Sequence, residues 1–499
     1  MSGPRYHLET FGCQMNVHDS ERMEDALRAG GWSRAEGEDD ADLVVFNTCS
    51  VREKAEHKLR SEVGRLKQWK RARPGRVVAV TGCVAQQEGE RLLDAVPHLD
   101  LVVGPDNLRE LPALAEAARL GDGRAVRTVF DLDHPTFLAP LDHLGHAMGP
   151  GGGTSNVSAF VTTMKGCDER CSFCVVPYTR GPERYRPASE IVDEIRARVA
   201  SGTREITLLG QTVNSWIPPE EADQAEGSSE ASPSRRASSS RFAWLLRTIA
   251  REVPSLERLR YTSPHPRHLG PELVAAHGEL AVLAAHLHLP VQSGSDRLLK
   301  RMIRRYTRAE YLERIGALRA ARPGITLSTD IIVGFPGETD ADFQETLSLV
   351  REAGFIAAFG FKFSPRPYTP ALKLADDVPE AVKAERLAAL FAEVERAQQA
   401  HLAGLVGSRV RVLVEGRSKP AGTAGPKVAS RVMGRSERNE IVHLDVPDER
   451  DPQALVGAFV DARVARANAH SLFGEIDGAT VAALPRLVVD AGPRRLAVL

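Results

Sequence analysis

The 499-residue sequence has almost no net charge, no long apolar run and no apolar segment at its start. A formal net charge of -1 gives no overall attraction to nucleic acid, so any RNA-binding surface has to be local. No apolar run approaches the roughly 20 residues that cross a bilayer, so we expect no membrane partner. The first residues, MSGPRYHLET, lack the apolar core of a signal peptide, and we expect a cytoplasmic protein.

Cysteine is also scarce, with six residues in the whole chain. In a cytoplasmic protein such cysteines are more often metal ligands or redox groups than disulfides. The composition, 42% hydrophobic and 26% charged, is otherwise that of an ordinary globular protein. At this length we expect two to four domains.

Residues 4–130 alternate strand-like runs with helix-like stretches. Three of the runs, HLETFGC, DLVVFNTC and RVVAVTGC, each end at a cysteine. This alternation predicts an α/β domain with a doubly wound parallel sheet. The Gly- and Pro-rich stretch at 131–156 predicts a linker.

Residues 157–400 contain six further strand-like runs, mostly separated by helix-length segments. The pattern predicts a partial (β/α) barrel of parallel strands. Residues 218–241 are rich in Ser, Glu and Arg, and we predict that they form a flexible surface insertion without a function of its own. The six runs are SAFVTTMKGC, REITLLG, RLRYTS, HLHLPV, ITLSTDIIVGF and AAFGFKF.

Residues 402–476 alternate polar and apolar residues in short runs, which predicts a small all-β module, either a barrel or a sandwich. Between Arg409 and Arg438, eight Lys and Arg residues stand against two acidic ones. Such a patch predicts salt-sensitive contact with phosphates, and a solvated charged surface is the alternative. Residues 477–499 are predicted to be a tail. The predicted fold class is therefore α/β multidomain, with a small all-β module after the barrel.

Three cysteines lie close together in GCDERCSFC, namely Cys167, Cys171 and Cys174. This C-x3-C-x2-C spacing lets three thiolates reach one metal centre from a single loop. Structural zinc usually takes four ligands, whereas a [4Fe-4S] cluster held by three thiolates keeps one iron open for a substrate. The loop follows the first strand of the predicted barrel, at the end where barrel active sites lie. A zinc site completed by a distant histidine is the alternative.

The other three cysteines, Cys13, Cys49 and Cys83, are dispersed, but each ends a strand-like run. The carboxyl ends of parallel strands lie at one edge of a sheet, so the three thiols should meet there. Helix N-termini at the same edge favour thiolate over thiol. We predict a second three-thiolate cluster site, and buried structural cysteines are the alternative.

From about residue 4 to 476, apart from the linker and the insertion, the chain resembles the methylthiotransferases, a branch of the radical S-adenosylmethionine enzymes. Two departures stand out: RGPERYRP at 180–187 lacks the family's Val-Ser-Arg, and Thr212 replaces a usual Asn. Besides the two cysteine sets, the resemblance rests on TFGCQMNVHDSERM, NTCSVREKAEHKL, GCVAQ, CSFCVVPYTRG, GQTVNSW, YTSPHP, HLPVQSGSDRLLKRM, TDIIVGFPGE and FKFSPRPYTPA.

The resemblance implies methylthiolation at C2 of N(6)-isopentenyladenosine, next to the anticodon of tRNA. That C–H bond is not acidic, so a radical is the physically sensible agent. The family scheme needs two [4Fe-4S] clusters and two S-adenosylmethionine molecules, one giving a methyl group to cluster-bound sulfur and one giving the radical. It also implies a flavodoxin-like N-terminal domain, a TRAM-like RNA-binding module and an electron donor of flavodoxin or ferredoxin type. The sulfur donor stays unknown.

The same resemblance assigns roles to individual residues. All six cysteines are expected to hold the clusters and to be catalytic. The stretches GFPGE and QSGS offer polar groups for the cofactor, and plain turns are the alternative. The expected cofactor contacts are Phe173, which could equally pack in its loop, Gln292, Ser293, Gly334, Gly337 and Glu338, and the expected substrate contacts are Asn47, Arg180, Glu183, Arg186 and Asn214, of which the asparagines could equally cap turns.

Two kinds of rival function remain open from the sequence. The nearer one is methylthiolation of threonylcarbamoyl-adenosine in tRNA or of an aspartate in a ribosomal protein, against which SVREKAE and TSPHP argue. The other is an electron-transfer iron–sulfur protein with RNA affinity. Four thiolates hold a cluster better than three, so a pure electron carrier would not need two three-cysteine sites.

Overall fold

The computed structural model describes residues 3–51, 53–130, 132, 157–221, 233–418, 431–447 and 450–485. The predicted linker lies almost wholly outside this part of the chain. Within the described ranges, no helix combines the length and the apolar character that crossing a membrane requires.

The N-terminal part is built on a six-stranded sheet in which every neighbouring pair is parallel, in the order β2-β1-β3-β4-β5-β6. Its central strands β3 and β4 are buried at every position, as expected of strands covered on both faces. The strands are β1 (Arg5–Phe11), β2 (Ser33–Arg34), β3 (Leu43–Thr48), β4 (Val77–Gly82), β5 (Leu101–Val103) and β6 (Ala125–Arg127).

Helices cover both faces of this sheet. On one face Val44 and Phe46 pack against the apolar stripe of α2, whose buried Leu59, Val63 and Leu66 follow the helical period. On the other face the alternate residues of β3 pack against α1 and α5. The helices are α1 (Gln14–Ala29), α2 (Glu53–Ala72), α3 (Cys83–Glu88), α4 (Glu90–Ala95) and α5 (Leu111–Leu120).

The central part is an incomplete barrel, and all six strand-like runs of the sequence form its strands. Two three-stranded parallel sheets, β11-β10-β7 and β12-β13-β14, are joined by a parallel bridge between Leu259 and Leu283. A short antiparallel pair, β8 with β9, lies beside the cysteine loop. The strands are β7 (Ser158–Thr162), β8 (Met164–Lys165), β9 (Arg184–Tyr185), β10 (Glu205–Leu209), β11 (Arg258–Tyr261), β12 (His286–His288), β13 (Thr326–Val333) and β14 (Ala357–Lys362).

Helices follow most barrel strands and enclose the apolar core between themselves and the sheet. Five of them begin with proline at the first or second helical position or with a Thr capping box, both of which favour helix initiation. The helices are α6 (Val176–Arg180), α7 (Ala188–Ala200), α8 (Pro233–Glu252), α9 (Pro271–Glu279), α10 (Asp296–Arg301), α11 (Arg308–Ala321), α12 (Asp340–Ala353) and α13 (Glu380–Gly404).

The predicted flexible insertion needs a correction. Residues 222–232 lie outside the described part of the chain, but residues 233–241 form the first turns of α8, so the prediction is wrong there. Pro233 begins the helix, no β-branched residue follows before Thr248, and the apolar residues from Phe242 onward anchor it in the core. An ion pair of 2.8 Å joins Arg241 to Glu221, across the undescribed residues.

The C-terminal part is a closed five-stranded barrel in the order β15-β16-β17-β19-β18, which confirms the small all-β module. Residues 419–430, inside the predicted basic patch, lie outside the described chain. The predicted tail begins with helix α14 (Gly478–Ala483) and the buried Leu484, which packs on the barrel, and its extent stays a prediction. The strands are β15 (Arg409–Arg417), β16 (Arg431–Ser436), β17 (Ile441–Asp445), β18 (Phe459–Ala467) and β19 (Leu472–Ile476).

The predicted fold class is confirmed: a doubly wound parallel sheet is followed by a partial (β/α) barrel and a small β-barrel. The two barrels are joined by polar contacts. Arg258 and Arg260 donate to the carbonyl oxygens of Arg435 and Ser436 at 3.1 and 2.9 Å, and Arg438 donates to that of Gly324. The exact domain boundaries stay predictions.

Candidate active site

The dispersed cysteines meet at the carboxyl edge of the N-terminal sheet. Cys13 is the N-cap of α1, Cys49 follows β3, and Cys83 is the first residue of α3 directly after β4. The backbone N–H of Cys49 donates to the carbonyl of Phe11 at 2.9 Å, which ties the ends of β1 and β3 together. The predicted convergence is therefore what the sheet produces.

Two glycines and two asparagines shape the surroundings of these thiols. Gly82 has a φ of 86°, and a Cβ there would lie 2.3 Å from Oδ1 of Asn47. Asn47 accepts a hydrogen bond from Asn16 at 3.1 Å and donates to Ser20 at 2.9 Å. A Cβ at Gly12 would lie 2.9 Å from that of Cys49. Only glycine leaves room for the strand ends to approach this closely.

The three sulfurs interact directly. A hydrogen bond with Cys49 is the main reason that the pKa of Cys13 is lowered to about 6, and the same bond, together with burial, raises the pKa of Cys49. Burial raises the pKa of Cys83, although its sulfur accepts a hydrogen bond of 3.2 Å from Nε of Arg180. Three thiols this close cannot all ionise without a cation between them.

The clustered cysteines lie on a loop between β8 and α6, at the carboxyl edge of the partial barrel. Gly166, with a φ of 83°, precedes them, and a Cβ there would lie 1.8 Å from the carbonyl oxygen of Pro182. The N–H of Cys167 donates to the carbonyl of Gly181 at 3.1 Å, and that of Ser172 donates to Met302 at 3.0 Å. The loop is thus fixed from both sides.

Each sulfur of the loop has a buried environment. Cys167 lies 3.0 Å from the hydroxyl of Thr212, and Cys171 accepts a hydrogen bond of 3.3 Å from Arg304. Burial raises the pKa of Cys174 to about 12, with the neighbouring Cys171 as the next cause. Burial and the charge of Cys174 likewise raise the pKa of Cys167.

Both sites fit a cluster with one open iron. All six cysteines are used, three at each site, so no fourth thiolate is available to either. Sulfur ligands suit iron–sulfur clusters, and the fold brings one set of three thiols to adjacent strand ends and the other set to a single loop.

A cluster of Glu169, His265 and His268 lies beside the loop, with ligand atoms within 4.8 Å of one another. Nδ1 of His265 accepts a hydrogen bond of 3.2 Å from the N–H of Arg267. Burial holds the pKa of His265 well below its ordinary value, and its buried Nε2 has no hydrogen-bond partner among the described residues. Nε2 of His268 lies 3.1 Å from Oε1 of Glu169, so these two side chains already form a pair within the protein.

Arg180 connects the two cysteine sites. It ends α6, six residues after Cys174, and its side chain reaches Cys83 and Asp19, the latter at 2.6 Å. Burial alone would raise the pKa of Asp19, but Arg180 and His18 hold it well below its usual range. The expected substrate contact of Arg180 stays a prediction; its observed partners are a cluster thiol and a buried carboxylate.

Further buried ion pairs fix the sheet against the partial barrel. Glu194 of α7 pairs with Arg22 of α1 and, at 2.5 Å, with Arg186. Asp106 pairs with Arg184 at 2.5 Å and Lys165 at 3.5 Å. Because these groups are almost fully buried, they hold the two cysteine sites in one relative position.

The other expected substrate residues are engaged within the protein. Asn214 is fully buried, and its side chain pairs with the backbone N–H and carbonyl of His265 at 2.8 and 3.0 Å. Glu183 accepts from Tyr185 at 2.6 Å and from the N–H of Asp168 at 3.3 Å. Arg186 forms an ion pair with Glu194, and Asn47 forms hydrogen bonds with Asn16 and Ser20. Contact with substrate stays a prediction for all of them.

The expected cofactor residues lie at the carboxyl end of the partial barrel. The N–H of Gly334 donates to Glu338 at 2.5 Å, and Glu338 pairs with Arg386 at 2.8 Å. The N–H of Gly337 donates to Asp377 at 2.6 Å. The carboxylate of Glu338 therefore organises its own turn, and its role toward a cofactor stays a prediction.

The remaining cofactor residues also have internal contacts. Gln292 has a φ of 77°, and its backbone N–H donates to the carbonyl of Asp330 at 2.9 Å. The hydroxyl of Ser293 lies 3.4 Å from that of Thr346. Phe173 packs against the apolar cluster that contains Phe335 and Phe363. Loop packing thus accounts for the observed position of Phe173, and contact with adenine stays a prediction.

Sequence reasoning missed two groups at these sites. Arg304 stands in RMIRRYT, where nothing distinguishes it from the arginines beside it, and only the fold brings it to Cys171. Asn16 lies three residues after Cys13, a spacing that one helical turn converts into contact, and its Oδ1 is 3.4 Å from the Cys13 sulfur. That spacing was the one available signal.

Family models match two parts of the chain. Residues 5–104 match the uncharacterized protein family UPF0004, and residues 161–350 match the radical SAM superfamily. Among solved structures, TsrM from Kitasatospora setae, a radical S-adenosylmethionine methyltransferase with cobalamin and a [4Fe-4S] cluster bound, is similar with a TM-score of 0.50 and 15% identity. The similarity covers 86% of this chain and 82% of that one and concerns the fold.

Two relatives are similar over nearly the whole chain. A tRNA-2-methylthio-N(6)-dimethylallyladenosine synthase of Sorangium cellulosum (strain So ce56) is 60% identical, covering 98% of this chain and 97% of the relative. A synthase of the same name from Ralstonia pickettii (strain 12J) is 44% identical, covering 94% and 97%.

Proposed function

Because the chain belongs to the family of tRNA-2-methylthio-N(6)-dimethylallyladenosine synthases, we propose that it methylthiolates C2 of N(6)-isopentenyladenosine next to the anticodon of tRNA. The observation that carries this proposal is the pair of three-cysteine sites, one at the edge of the sheet and one at the edge of the partial barrel, joined through Arg180. When bound, two [4Fe-4S] clusters and S-adenosylmethionine supply radical hydrogen abstraction and the sulfur and methyl group to be transferred.

The chain's own residues would hold the two clusters and fix the distance between them. Cys167, Cys171 and Cys174 would hold the cluster that binds S-adenosylmethionine, and Cys13, Cys49 and Cys83 the cluster that carries sulfur. Arg180 and Arg304 each donate one hydrogen bond to a cysteine sulfur, which stabilises negative charge there. The buried ion pairs of Glu194 and Asp106 keep the separation of the sites constant, as a reaction between them requires.

We include an RNA-binding role for the C-terminal barrel in the proposal. Part of the predicted basic patch contacts other protein groups: Arg411 pairs with Glu257 at 3.0 Å, and Arg438 packs on Gly324. A group that includes Arg431 of the patch and three residues outside it supports RNA contact better. The Arg466 and Arg431 guanidinium groups lie 3.5 and 5.0 Å from the Phe473 ring centroid, and His443 stacks on that ring at 4.9 Å. Such cation–aromatic groups suit RNA.

The proposal also places the protein in the cytoplasm and gives it a reductant of flavodoxin or ferredoxin type. A radical reaction of this kind consumes electrons, and the described chain offers no further redox centre beyond the two cysteine sites. The physiological sulfur source is not part of the proposal.

Nucleoside mass spectrometry of tRNA from a strain lacking the gene tests the function. We expect loss of the 2-methylthio nucleoside and accumulation of N(6)-isopentenyladenosine, restored by the intact gene. Unchanged 2-methylthio nucleoside in the deletion strain would contradict the proposal. Loss of a methylthiolated threonylcarbamoyl-adenosine instead would support the rival target, and mass spectrometry of ribosomal proteins would reveal the aspartate.

A further inference from the structure

Two half-exposed tyrosines, Tyr178 and Tyr368, form a pair at the junction between the N-terminal sheet and the partial barrel. Their ring centroids are 5.8 Å apart with an interplanar angle of 36°. Tyr178 is 41% exposed and Tyr368 is 52% exposed. We call them the rim pair. Rings this exposed contribute little to a core, so another reason for their position is needed.

The backbone of Tyr368 adds a second observation. Its φ is 68°, in the left-handed region that a bulky side chain disfavours and that glycine adopts freely. The strain is retained although the ring is not buried. Residues held in this way cluster at binding sites, where the surrounding structure forces their position.

The contacts of the rim pair place it near both cysteine sites. Tyr178 lies on α6, four residues after Cys174. The hydroxyl of Tyr368 lies 3.5 Å from the carbonyl oxygen of Gln87, four residues after Cys83. The rim pair is therefore tied to the helix that follows Cys174 and to the helix that begins at Cys83.

The segment that carries Tyr368 also contacts the chain next to Cys49, at the end of β3. Arg366, two residues before Tyr368, donates to the carbonyl of Val51 at 3.1 Å and pairs with Glu56 at 3.0 Å. Val51 is itself two residues after Cys49, and its N–H donates to the Cys49 sulfur at 3.3 Å. The segment that carries Tyr368 is therefore held on the cysteine edge of the sheet.

A cation lies beside the rings. Arg91 donates to the Tyr368 hydroxyl at 2.7 Å, and its guanidinium lies 6.0 Å from the ring centroid. Its other observed contact is the carbonyl of Gln87 at 3.3 Å. Among the residues that the structure describes, no carboxylate forms an ion pair with Arg91, so its charge is available to an anion.

We propose that the rim pair is a stacking platform for an unpaired nucleotide next to the target adenosine, with Arg91 contacting a backbone phosphate. The inference rests on the proposed function, because that function brings a single-stranded RNA loop to the space between the cysteine sites. Exposed aromatic rings beside an arginine recognise unpaired bases by stacking, with little dependence on base identity. Two rings are too small a surface for a stable protein interface.

Fluorescence of an anticodon stem–loop carrying N(6)-isopentenyladenosine tests the platform. 2-Aminopurine replaces the loop nucleotide on either side of the modified base, and binding to the cluster-loaded protein is followed by quenching and by anisotropy. We expect strong quenching with wild type, and Tyr368→Gly and Tyr178→Ala to reduce it and weaken binding about ten-fold each. Tyr178→Phe, which keeps the ring, should bind like wild type.

Matched controls separate stacking from damage to the fold. Phe391→Ala removes another half-exposed ring, 42% exposed on α13, and should change neither quenching nor affinity. Tyr368→Gly relieves the backbone strain, so its thermal unfolding temperature should not fall below that of wild type. Arg91→Gln should lower the slope of affinity against salt concentration by about one, as expected for one lost phosphate contact.

The possible failures are distinguishable. If wild type neither binds nor methylthiolates the stem–loop, the proposed function fails and the platform with it. If wild type does both and the rim-pair variants match Phe391→Ala, only the platform is overturned. Normal RNA binding combined with slower reduction by flavodoxin in the rim-pair variants would also overturn it, because the rings would then belong to a protein contact.

Discussion

The two cysteine sites hold the same number of thiols but are assembled differently. The loop site draws Cys167, Cys171 and Cys174 from eight consecutive residues, and its arginine, Arg304, comes from the same barrel. The sheet site draws its cysteines from three strand ends, and its arginine, Arg180, comes from the partial barrel. The sheet site is therefore complete only when the two parts of the chain are packed together, whereas the loop site depends on the barrel alone.

This asymmetry agrees with the division of chemistry proposed for the sites. Arg180 reaches Cys83 from the helix that follows the loop cysteines, so a displacement of that helix alters both sites. Arg304 has no partner among the described residues of the N-terminal sheet. Changes at the sheet site should thus leave the loop site working, and the reverse should not hold for the overall reaction.

The largest expected effect comes from removing each set of thiols. We expect about eight irons per chain in wild type and about half of that in either triple Cys→Ala variant. The Cys13, Cys49 and Cys83 variant should still cleave S-adenosylmethionine to 5′-deoxyadenosine but form no 2-methylthio product. The Cys167, Cys171 and Cys174 variant should lose both activities. Iron analysis and mass spectrometry of nucleosides measure these outcomes.

Folding has to be controlled in this experiment, because removing a cluster can destabilise the sheet around it. Circular dichroism of each variant supplies the control. Methylthiolated tRNA made by the folded sheet-site variant would refute the sulfur-carrying role of that site, and full iron content in either variant would refute its assignment as a cluster site.

The next effect concerns the two arginines. Arg180→Ala leaves Asp19 buried without its cation and should cost about 4 kcal/mol of unfolding free energy. It should also lower the reduction potential of the sheet cluster, because a hydrogen bond to a cysteine sulfur is lost. Arg304→Ala should lower the reduction potential of the loop cluster only. Denaturant titration and redox titration followed by EPR measure both effects.

Arg180→Lys distinguishes charge from geometry, since it keeps a cation near Asp19 but lacks the fork that reaches Cys83 as well. Compared with Arg180→Ala, Arg180→Lys should restore much of the unfolding free energy but little of the reduction potential of the sheet cluster. Equal shifts of both clusters in Arg180→Ala and Arg304→Ala would remove the asymmetry between the sites.

A smaller effect follows from the carboxylate that joins the sheet to the barrel. Burial alone would raise the pKa of Glu194, but Arg22, Arg186 and Arg198 lower it to about 2 from an ordinary value of 4.5. A lowered pKa means that the ion pairs stabilise the fold above about pH 4.5 and are lost as the pH falls through about 2. Glu194→Gln should therefore cost about 3 kcal/mol at pH 7 and nearly nothing at pH 2.

Glu190→Gln is the matched control, because Glu190 also pairs with Arg186, at 3.2 Å, but is 52% exposed in its side chain. Its cost should stay under about 1 kcal/mol at any pH. Urea titration of the cluster-free protein between pH 2 and 7 compares the two variants. A cost for Glu194→Gln that does not change with pH would show that shape, and not charge, joins the two parts.

The sequence was sufficient for the loop site and for the layout of the sheet site. The spacing of Cys167, Cys171 and Cys174 predicts the loop site. The cysteines that end three strand-like runs predict the sheet site, because strands are recognised from local residues and parallel strands end at one edge of a sheet. The sequence was insufficient for Arg180 and Glu194, whose partners Asp19, Cys83 and Arg22 are distant in sequence and lie in the N-terminal domain. Such pairs leave no local pattern. The substrate contacts expected of Arg180 and Arg186 come from the family resemblance and stay predictions. The start of α8 was missed because its first residues are polar, and the apolar residues that anchor it follow later.

The smallest expected effect is that of deleting residues 222–232, which lie between Glu221 and the first residue of α8. Their composition, rich in Ser, Ala and Glu, offers no large apolar side chain for burial, which motivates the prediction. Arg241 and Glu221 form an ion pair at 2.8 Å, so the two flanks already lie close together and a short Gly/Ser link suffices.

The deletion of 222–232 should leave iron content at both sites, unfolding free energy and methylthiolation unchanged. A matched deletion of 233–241 removes the first turns of α8 and should lower stability measurably, since it shortens a helix that Phe242 and Leu245 anchor in the core. Iron analysis and denaturant titration compare the two deletions side by side. Loss of iron from the loop site after deletion of 222–232 would mean that this segment supports the barrel. Unchanged stability after deletion of 233–241 would mean that α8 does not depend on its first turns.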